Sequence, residues 1–342
     1  MIGLWDIDSK LPNLTSMKRS NYYKSFGERA ELVDIDNLDK YEKIYASCLF
    51  TWNRDKCLKI KEQLGDRIEF GGTGWDFKEI NGELKELTHT VLPIEIENMR
   101  PDYDLYTPEI IYERIRGGIG KKDTKMQKAK AITEMGLEFS SRGCVRKCSF
   151  CLVHKKEGCF KQATEIKNII NPKSNFITLL DNNLTADPYC IEKLNEIRDR
   201  KLIVNISQGI DIRLVTEEKA KALSEVRHQR SIHYAWDLPE SKSQVLQGIN
   251  ILSKFIKTYR HMCYVLVGFN TSFEEDMYRV LKLKELKVDP YIMIYNKNQH
   301  KDERLKHFAR WVNGRIYKVS DWDDYEPWVK AKNKVEGVKK CG

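Results

Sequence analysis

Apolar and polar residues alternate along this chain in two separate series of short runs. In the first, Ile2-Gly3-Leu4-Trp5-Asp6-Ile7 reads as a strand, and residues 11–26, closed by Gly27, carry the longer period of a helix with a glycine stop. Residues 30–35 and 43–48 read as further strands, 54–64 before Gly65 as a second helix, and 67–70 as a strand leading into Gly71-Gly72-Thr73-Gly74. That order predicts a small, mainly parallel sheet covered by helices. Residues 75–136 are less periodic and are interrupted by Pro93, Pro101, Pro108 and the Gly117-Gly118 pair, which predicts a partly helical connection.

The second series starts at Leu137-Glu138-Phe139-Ser140-Ser141, a strand that runs straight into a cysteine-bearing loop. Strands follow near 176–180, 202–207, 231–236, 262–268 and 290–295, with helical patterns at 188–200, 216–225, 241–257 and 272–287. Six strand–helix units of this kind curve into a partial parallel barrel, with its reactive end at the carboxyl ends of the strands by analogy with the complete barrel. The tail, with Trp322, Tyr325 and Trp328 among acidic residues, is expected to pack over one barrel end.

Composition sharpens this picture in three respects. No run of about eighteen apolar residues occurs, and the first residues lack the charged and apolar regions of a signal peptide, so a soluble, cytoplasmic protein is expected. Nine cysteines, an odd number without a secretion signal, argue for thiols kept reduced and available as metal ligands. The formal charge of +9 includes a loose basic run at Lys121, Lys122, Lys125, Lys128 and Lys130. Such a surface either favours polyanionic partners, nucleic acid among them, or is a solvated lysine-rich face.

Cys144, Cys148 and Cys151 stand at spacings of four and three residues on one loop after a strand. Three thiolates so placed suit a cuboidal iron–sulfur cluster and leave one iron open to the amino and carboxylate groups of a methionine moiety. An electron passed into the adjacent sulfonium then breaks a carbon–sulfur bond, the cofactors carrying the hard chemistry. The segment Ser141-Arg142-Gly143-Cys144-x3-Cys148-Ser149-Phe150-Cys151, aromatic just before its last cysteine, resembles the signature of the radical S-adenosylmethionine superfamily. The strand–helix units over 137–313 are similar to that superfamily's partial barrel.

The resemblance implies a 4Fe-4S cluster on Cys144, Cys148 and Cys151, reductive cleavage of S-adenosylmethionine to a 5'-deoxyadenosyl radical, and a reductant protein such as flavodoxin or ferredoxin. It also places Phe150 beside the cofactors. Where the family carries a Gly-Gly-Glu-like motif after the second strand, this chain has Asp181-Asn182-Asn183, so Asp181 and Asn182 become the candidates to orient the methionine ammonium. Gln208, Asp211 and Arg213 follow the third strand. Arg213 suits the methionine carboxylate through its planar donors, or forms a salt bridge inside the barrel. Asp237 is a candidate for the ribose hydroxyls or the substrate. Gly268 either lets the adenine approach the backbone or marks a plain turn. Trp75, Trp236 and Tyr295 line a pocket or pack the core.

Two further readings stand beside this one. His154 and Cys159 lie close enough in sequence to complete a zinc site, and Arg142, Arg146 and Lys147 surround the cysteines with charge, as a metal-stabilised nucleic-acid-binding module would need. Cys48, Cys190 and Cys263 fall on apolar faces, and Cys57 and Cys341 have no partner at ligand spacing. Over residues 1–100, Leu11-Pro12-Asn13-Leu14 and Gly71-Gly72-Thr73-Gly74 resemble the cobalamin-binding-like domain that precedes the barrel in one branch of the superfamily. Where such domains ligate cobalamin through histidine, this chain has Asp8-Ser9-Lys10, and its first histidine is His89. Cobalamin is therefore expected without a histidine ligand or not at all, and cobalamin-dependent methyl transfer competes with plain hydrogen abstraction. Sister enzymes that add methylthio groups to transfer RNA carry three N-terminal cluster cysteines, where this chain has only Cys48 and Cys57. The expected organisation is a Rossmann-like, cobalamin-binding-like domain over 1–100, a linker over 101–136, a partial (β/α)6 TIM-type barrel over 137–313, and a tail over 314–342.

Overall fold

The computed structural model describes residues 1–80, 83–116, 122–297 and 302–330. The Gly117-Gly118 pair, Lys121 and Cys341 lie outside these. The described chain is an α/β protein with parallel sheets, and among the described residues no helix is long and apolar enough to cross a membrane. It divides into two compact units: Met1–Arg142 with Leu152–Leu180, and Gly143–Cys151 with the chain from Asp181 onward.

In the first unit, β1 (Ile2–Asp6), β2 (Ala30–Leu32), β3 (Lys43–Ser47) and β4 (Ile68–Gly71) form a wholly parallel sheet in the order β2-β1-β3-β4. The helix Leu14–Ser25 starts later than its apolar pattern predicts, because Pro12 removes a donor and Asn13 caps the first turn, its Oδ1 accepting from Ser16 N at 3.0 Å. The helix Arg54–Leu64 ends at Gly65, whose φ of +54° suits glycine. The sheet buries Ile2 and Leu4 against Met17 on one side, and Ile44 and Ile68 against Cys57 and Ile60.

Residues 101–136, expected as a connection, instead supply core. The helices Pro108–Arg114 and Lys122–Glu134 bury Ile111 and Ala129 with Tyr103, Leu105 and Tyr106 beside β1. The antiparallel hairpin of β5 (Phe77–Ile80) and β6 (Glu83–Glu86) was not expected from the periodicity. The unit is completed by β7 (Gly136–Glu138), the short antiparallel pair β8 (Ser141–Arg142) and β9 (Lys161–Gln162), and β10 (Phe176–Leu179), which pairs parallel with β7. Here Lys18, 1% exposed, meets Glu138, also 1% exposed, at 2.9 Å.

The second unit carries β11 (Ile203–Ile206), β12 (Arg227–His228), β13 (Ile232–Ala235), β14 (His261–Val267) and β15 (Asp289–Ile294). The pairings of β11 with β12, and of β14 with β13 and β15, are parallel. A single parallel bridge, Ile210 to Tyr234, links the chain after β11 to β13. The helices Cys190–Asp199, Glu217–Glu225, Lys242–Ser253 and Phe273–Glu285 alternate with these strands. Along β14 the residues alternate strictly, with His261, Cys263, Val265 and Val267 buried and Met262, Tyr264 and Leu266 half-buried. In the tail, Trp322 packs against Phe273, Phe308, Trp311, Tyr325 and Trp328.

Candidate functional site

The cysteine loop joins the second unit, where Gly143 opens it at φ +78°. Asn182 Oδ1 accepts from Gly143 N at 2.9 Å and so fixes the start of the loop. Cys144 Sγ accepts two hydrogen bonds, from Arg146 N at 3.3 Å and from Asn183 Nδ2 at 3.4 Å. Cys151 N donates to the Cys148 carbonyl at 3.0 Å, which tightens the turn between the last two cysteines. Burial pushes the Cys148 thiol up, the Arg213 charge opposes this, and both Cys151 and Cys144 are near enough to act on it. All three cysteines are half-buried, and none of them is in a disulfide. Phe150 sits edge-on to Phe269, centroids 5.5 Å apart, and Phe269 in turn meets Tyr295 at 4.7 Å.

Asp211 is the hub of the polar side. Arg213 holds it through two bonds, Nε to Oδ1 at 2.6 Å and Nη2 to Oδ2 at 3.0 Å, and Arg146 reaches Oδ2 through Nε at 2.9 Å. Burial opposes the Asp211 charge, but the two guanidinium groups outweigh it and hold the carboxyl below its usual range. Arg213 is thereby engaged in an ion pair with Asp211. Thr185 ties the hub to the Asp181-Asn182-Asn183 turn, bonding Asn183 Oδ1 at 3.1 Å and the Asp211 carbonyl at 3.2 Å. Asp181 is fully buried, and Gln208 is exposed.

Asp237 follows β13, and burial lifts its pKa to about 6 against the charges of Arg279 and Arg213. Arg279, 1% exposed, donates through Nη1 to the carbonyls of Trp236 at 2.7 Å and Asp237 at 2.5 Å, and through Nη2 to that of Leu266 at 2.8 Å. It also pairs with the buried Asp276. One guanidinium thus fixes the carboxyl ends of β13 and β14, next to Asp237 and Gly268, the latter at φ +76°. Trp236 is wholly buried, and Trp75 stacks on Phe70 at 4.8 Å, so both are packing residues.

Sequence reasoning left out two contributors, Arg279 and Asn183. Arg279 lies at the i+3 position from Asp276 on the buried face of its helix, beside Val280 and Leu283; a charge pair on an apolar stripe is the signal that marks it. Asn183 stood in the quoted motif, but only the fold shows that it reaches Cys144. In the first unit, Cys57 is buried in the same core cluster as Cys48.

Among the described residues, no three His, Cys, Asp or Glu side chains are arranged to hold a single metal ion. A mononuclear zinc site draws its sulfurs to within about 4 Å of one another, given bonds of about 2.3 Å. A cuboidal cluster bonds each thiolate to a different iron and asks for no such convergence. The donor set, three cysteines in eight residues with N–H groups aimed at one sulfur, fits the chemistry an iron–sulfur ligand loop needs. In the first unit the loop after β1 is bound otherwise: Asp8 accepts from Leu49 N at 2.9 Å, Phe50 N at 3.0 Å and Asn53 Nδ2 at 2.9 Å. No protein-family model matches the chain, and no curated protein matches its sequence.

Proposed function

We propose that this chain is a radical S-adenosylmethionine enzyme, whose first unit has a Rossmann-like, cobalamin-binding-like sheet and whose later strands belong to a partial (β/α)6 barrel. The order β2-β1-β3-β4 and the parallel run β11 to β15 with its intervening helices support that reading of the fold. The observation that carries the function is the loop Cys144-x3-Cys148-x2-Cys151, with Cys144 Sγ held under two N–H donors. When bound by these three cysteines, a 4Fe-4S cluster supplies the single electron that cleaves S-adenosylmethionine to a 5'-deoxyadenosyl radical.

The chain's own residues do the rest by placement. Arg146 N and Asn183 Nδ2 disperse the charge of a Cys144 thiolate. Arg146 and Arg213 clamp Asp211, which keeps an ionised carboxylate and two cations on one side of the loop. Arg279 sets the strand ends that present Asp237 and Gly268, and Phe150 with Phe269 and Tyr295 provides an apolar wall. The reductant is a flavodoxin- or ferredoxin-like protein of the cytoplasm.

The test is anaerobic reconstitution with iron and sulfide, followed by dithionite and S-adenosylmethionine. A broad brown absorbance and release of 5'-deoxyadenosine are expected, with both lost in Cys148→Ala. A colourless protein that retains zinc and no iron would instead favour the metal-stabilised binding module. Corrinoid absorbance in protein from cobalamin-fed cells would assign the methyl-transfer variant of the reaction.

A further inference from the structure

The second unit has a recess of about 220 Å3 at the amino-terminal ends of β12 and β14, the opposite ends from those that carry Asp237 and Gly268. Its floor is apolar, made by Leu223 and Ile256, which are 0% and 6% exposed. Its rim bears two outward aromatic rings, Phe255 at 38% and Tyr259 at 69% exposure. One wall is His228, fixed by a 2.7 Å hydrogen bond between Nε2 and the Leu223 carbonyl. Lys257 and Arg260 complete the lining, and Arg227 and Arg230 lie on the adjoining chain.

The charge here is uncompensated. Among the described residues, none of Arg227, Arg230, Lys257 and Arg260 forms an ion pair, and all four are exposed. Of the acids nearby in sequence, Glu225 is engaged by Arg198 at 2.6 Å and Glu217 by Lys254 at 2.6 Å. Burial first, and the Arg260 charge second, lower the His228 pKa, so this wall stays neutral rather than adding a further cation. Four cations without ion pairs on two chain segments match a row of phosphates better than a single anion. Exposed rings beside an apolar floor offer every base a face to stack on.

We propose that this recess binds single-stranded nucleic acid, one base against Phe255 and Tyr259 and the flanking phosphates on Arg227, Arg230, Lys257 and Arg260. The proposal is independent of the cysteine loop. Fluorescence anisotropy of the full chain with a labelled oligothymidylate of about fifteen residues tests it, without S-adenosylmethionine. If four phosphates are engaged, log Kd rises with log salt with a slope of about 3. The double variant Lys257→Glu/Arg260→Glu is expected to weaken binding at least about tenfold and to lower that slope by about 1.4. Tyr259→Ala is expected to weaken it about tenfold and leave the slope unchanged. A charge reversal on another helix, Lys306→Glu, serves as the control and is expected to bind within about twofold of wild type. Three outcomes overturn the proposal: the double variant binding as wild type, the control losing as much as the double variant, or thymidine monophosphate competing as well as the oligonucleotide.

Discussion

His261 shows how a single residue ties stability to pH. It is fully buried, with Nε2 on the Ile256 carbonyl at 3.1 Å and Nδ1 facing the Tyr234 hydroxyl at 3.2 Å, so the neutral ring donates at one nitrogen and accepts at the other. Burial drives its pKa down from 6.5 to about 4. The unfolded chain therefore takes up a proton as pH falls below about 6.5, while the folded chain does not until about 4. Stability contributed by the neutral ring is intact above 6.5, falls by about 3 kcal/mol between 6.5 and 4, and changes little below that. His228, lowered by burial, adds to the loss in the same direction. Thermal midpoints measured across this range should fall less steeply in His261→Gln than in wild type; parallel curves would remove the imidazole as the cause.

Arg279 is the other residue whose loss has a calculable consequence. Arg279→Ala leaves Asp276, 1% exposed, without its cation and frees one buried and two part-buried carbonyls, a change expected to cost about 3 to 5 kcal/mol in urea denaturation. Arg279→Lys keeps the charge but reaches fewer of those acceptors, so it should fall between the two. Equal stability of Arg279→Lys and wild type would show that the planar fork is not needed.

Elements meet most closely where the helix Lys242–Ser253 crosses the short turn Ile212–Leu214 that carries Arg213. A Cβ on Gly248 would lie 2.0 Å from the Ile212 carbonyl oxygen. Alanine gains about 1 kcal/mol in helix propensity, but the overlap is with backbone and moves the helix or the turn, at about 1 to 3 kcal/mol. Gly248→Ala should therefore be destabilised by up to about 2 kcal/mol, and an increase in the urea midpoint would refute the close approach. At this scale the period of the apolar residues carried most of the information, because strands such as β14 bury every second side chain and helices such as Arg54–Leu64 end at a glycine. The hairpin of β5 and β6 escaped because, apart from the buried Phe77, its described residues are half-exposed or exposed and mostly charged, although Asn81-Gly82 between them is a strong hairpin signal. Strand β12 is two residues long, too short for any period to register. The cysteines were legible from spacing alone, whereas the clamp on Asp211 and the reach of Asn183 depend on side chains 65 and 39 residues distant in sequence from the loop.

For the whole molecule, the consequence lies in how the units share the chain. It leaves the first unit after Arg142, returns after Cys151 and leaves again after Leu180, so neither unit is one continuous stretch. Boundaries drawn at 100 or 136 by periodicity would cut a single core. Lys18 in the first helix needs Glu138 in β7, and the Tyr103 hydroxyl donates to the Ile169 carbonyl at 2.7 Å. A fragment ending at 136 keeps Lys18 buried with only Glu97 to answer it and leaves Tyr103 without its acceptor. Losing one member of a buried ion pair alone costs about 3 to 5 kcal/mol, a large part of the stability of a domain of that size. Fragment 1–136 is therefore expected to melt without a cooperative transition, and fragment 1–180, which restores β7 and β10, to regain one. Circular dichroism against temperature separates the two cases. Equal, cooperative melting of both fragments would mean that the first sheet and its helices are self-sufficient, and that the Lys18–Glu138 pair serves some purpose other than closing that core.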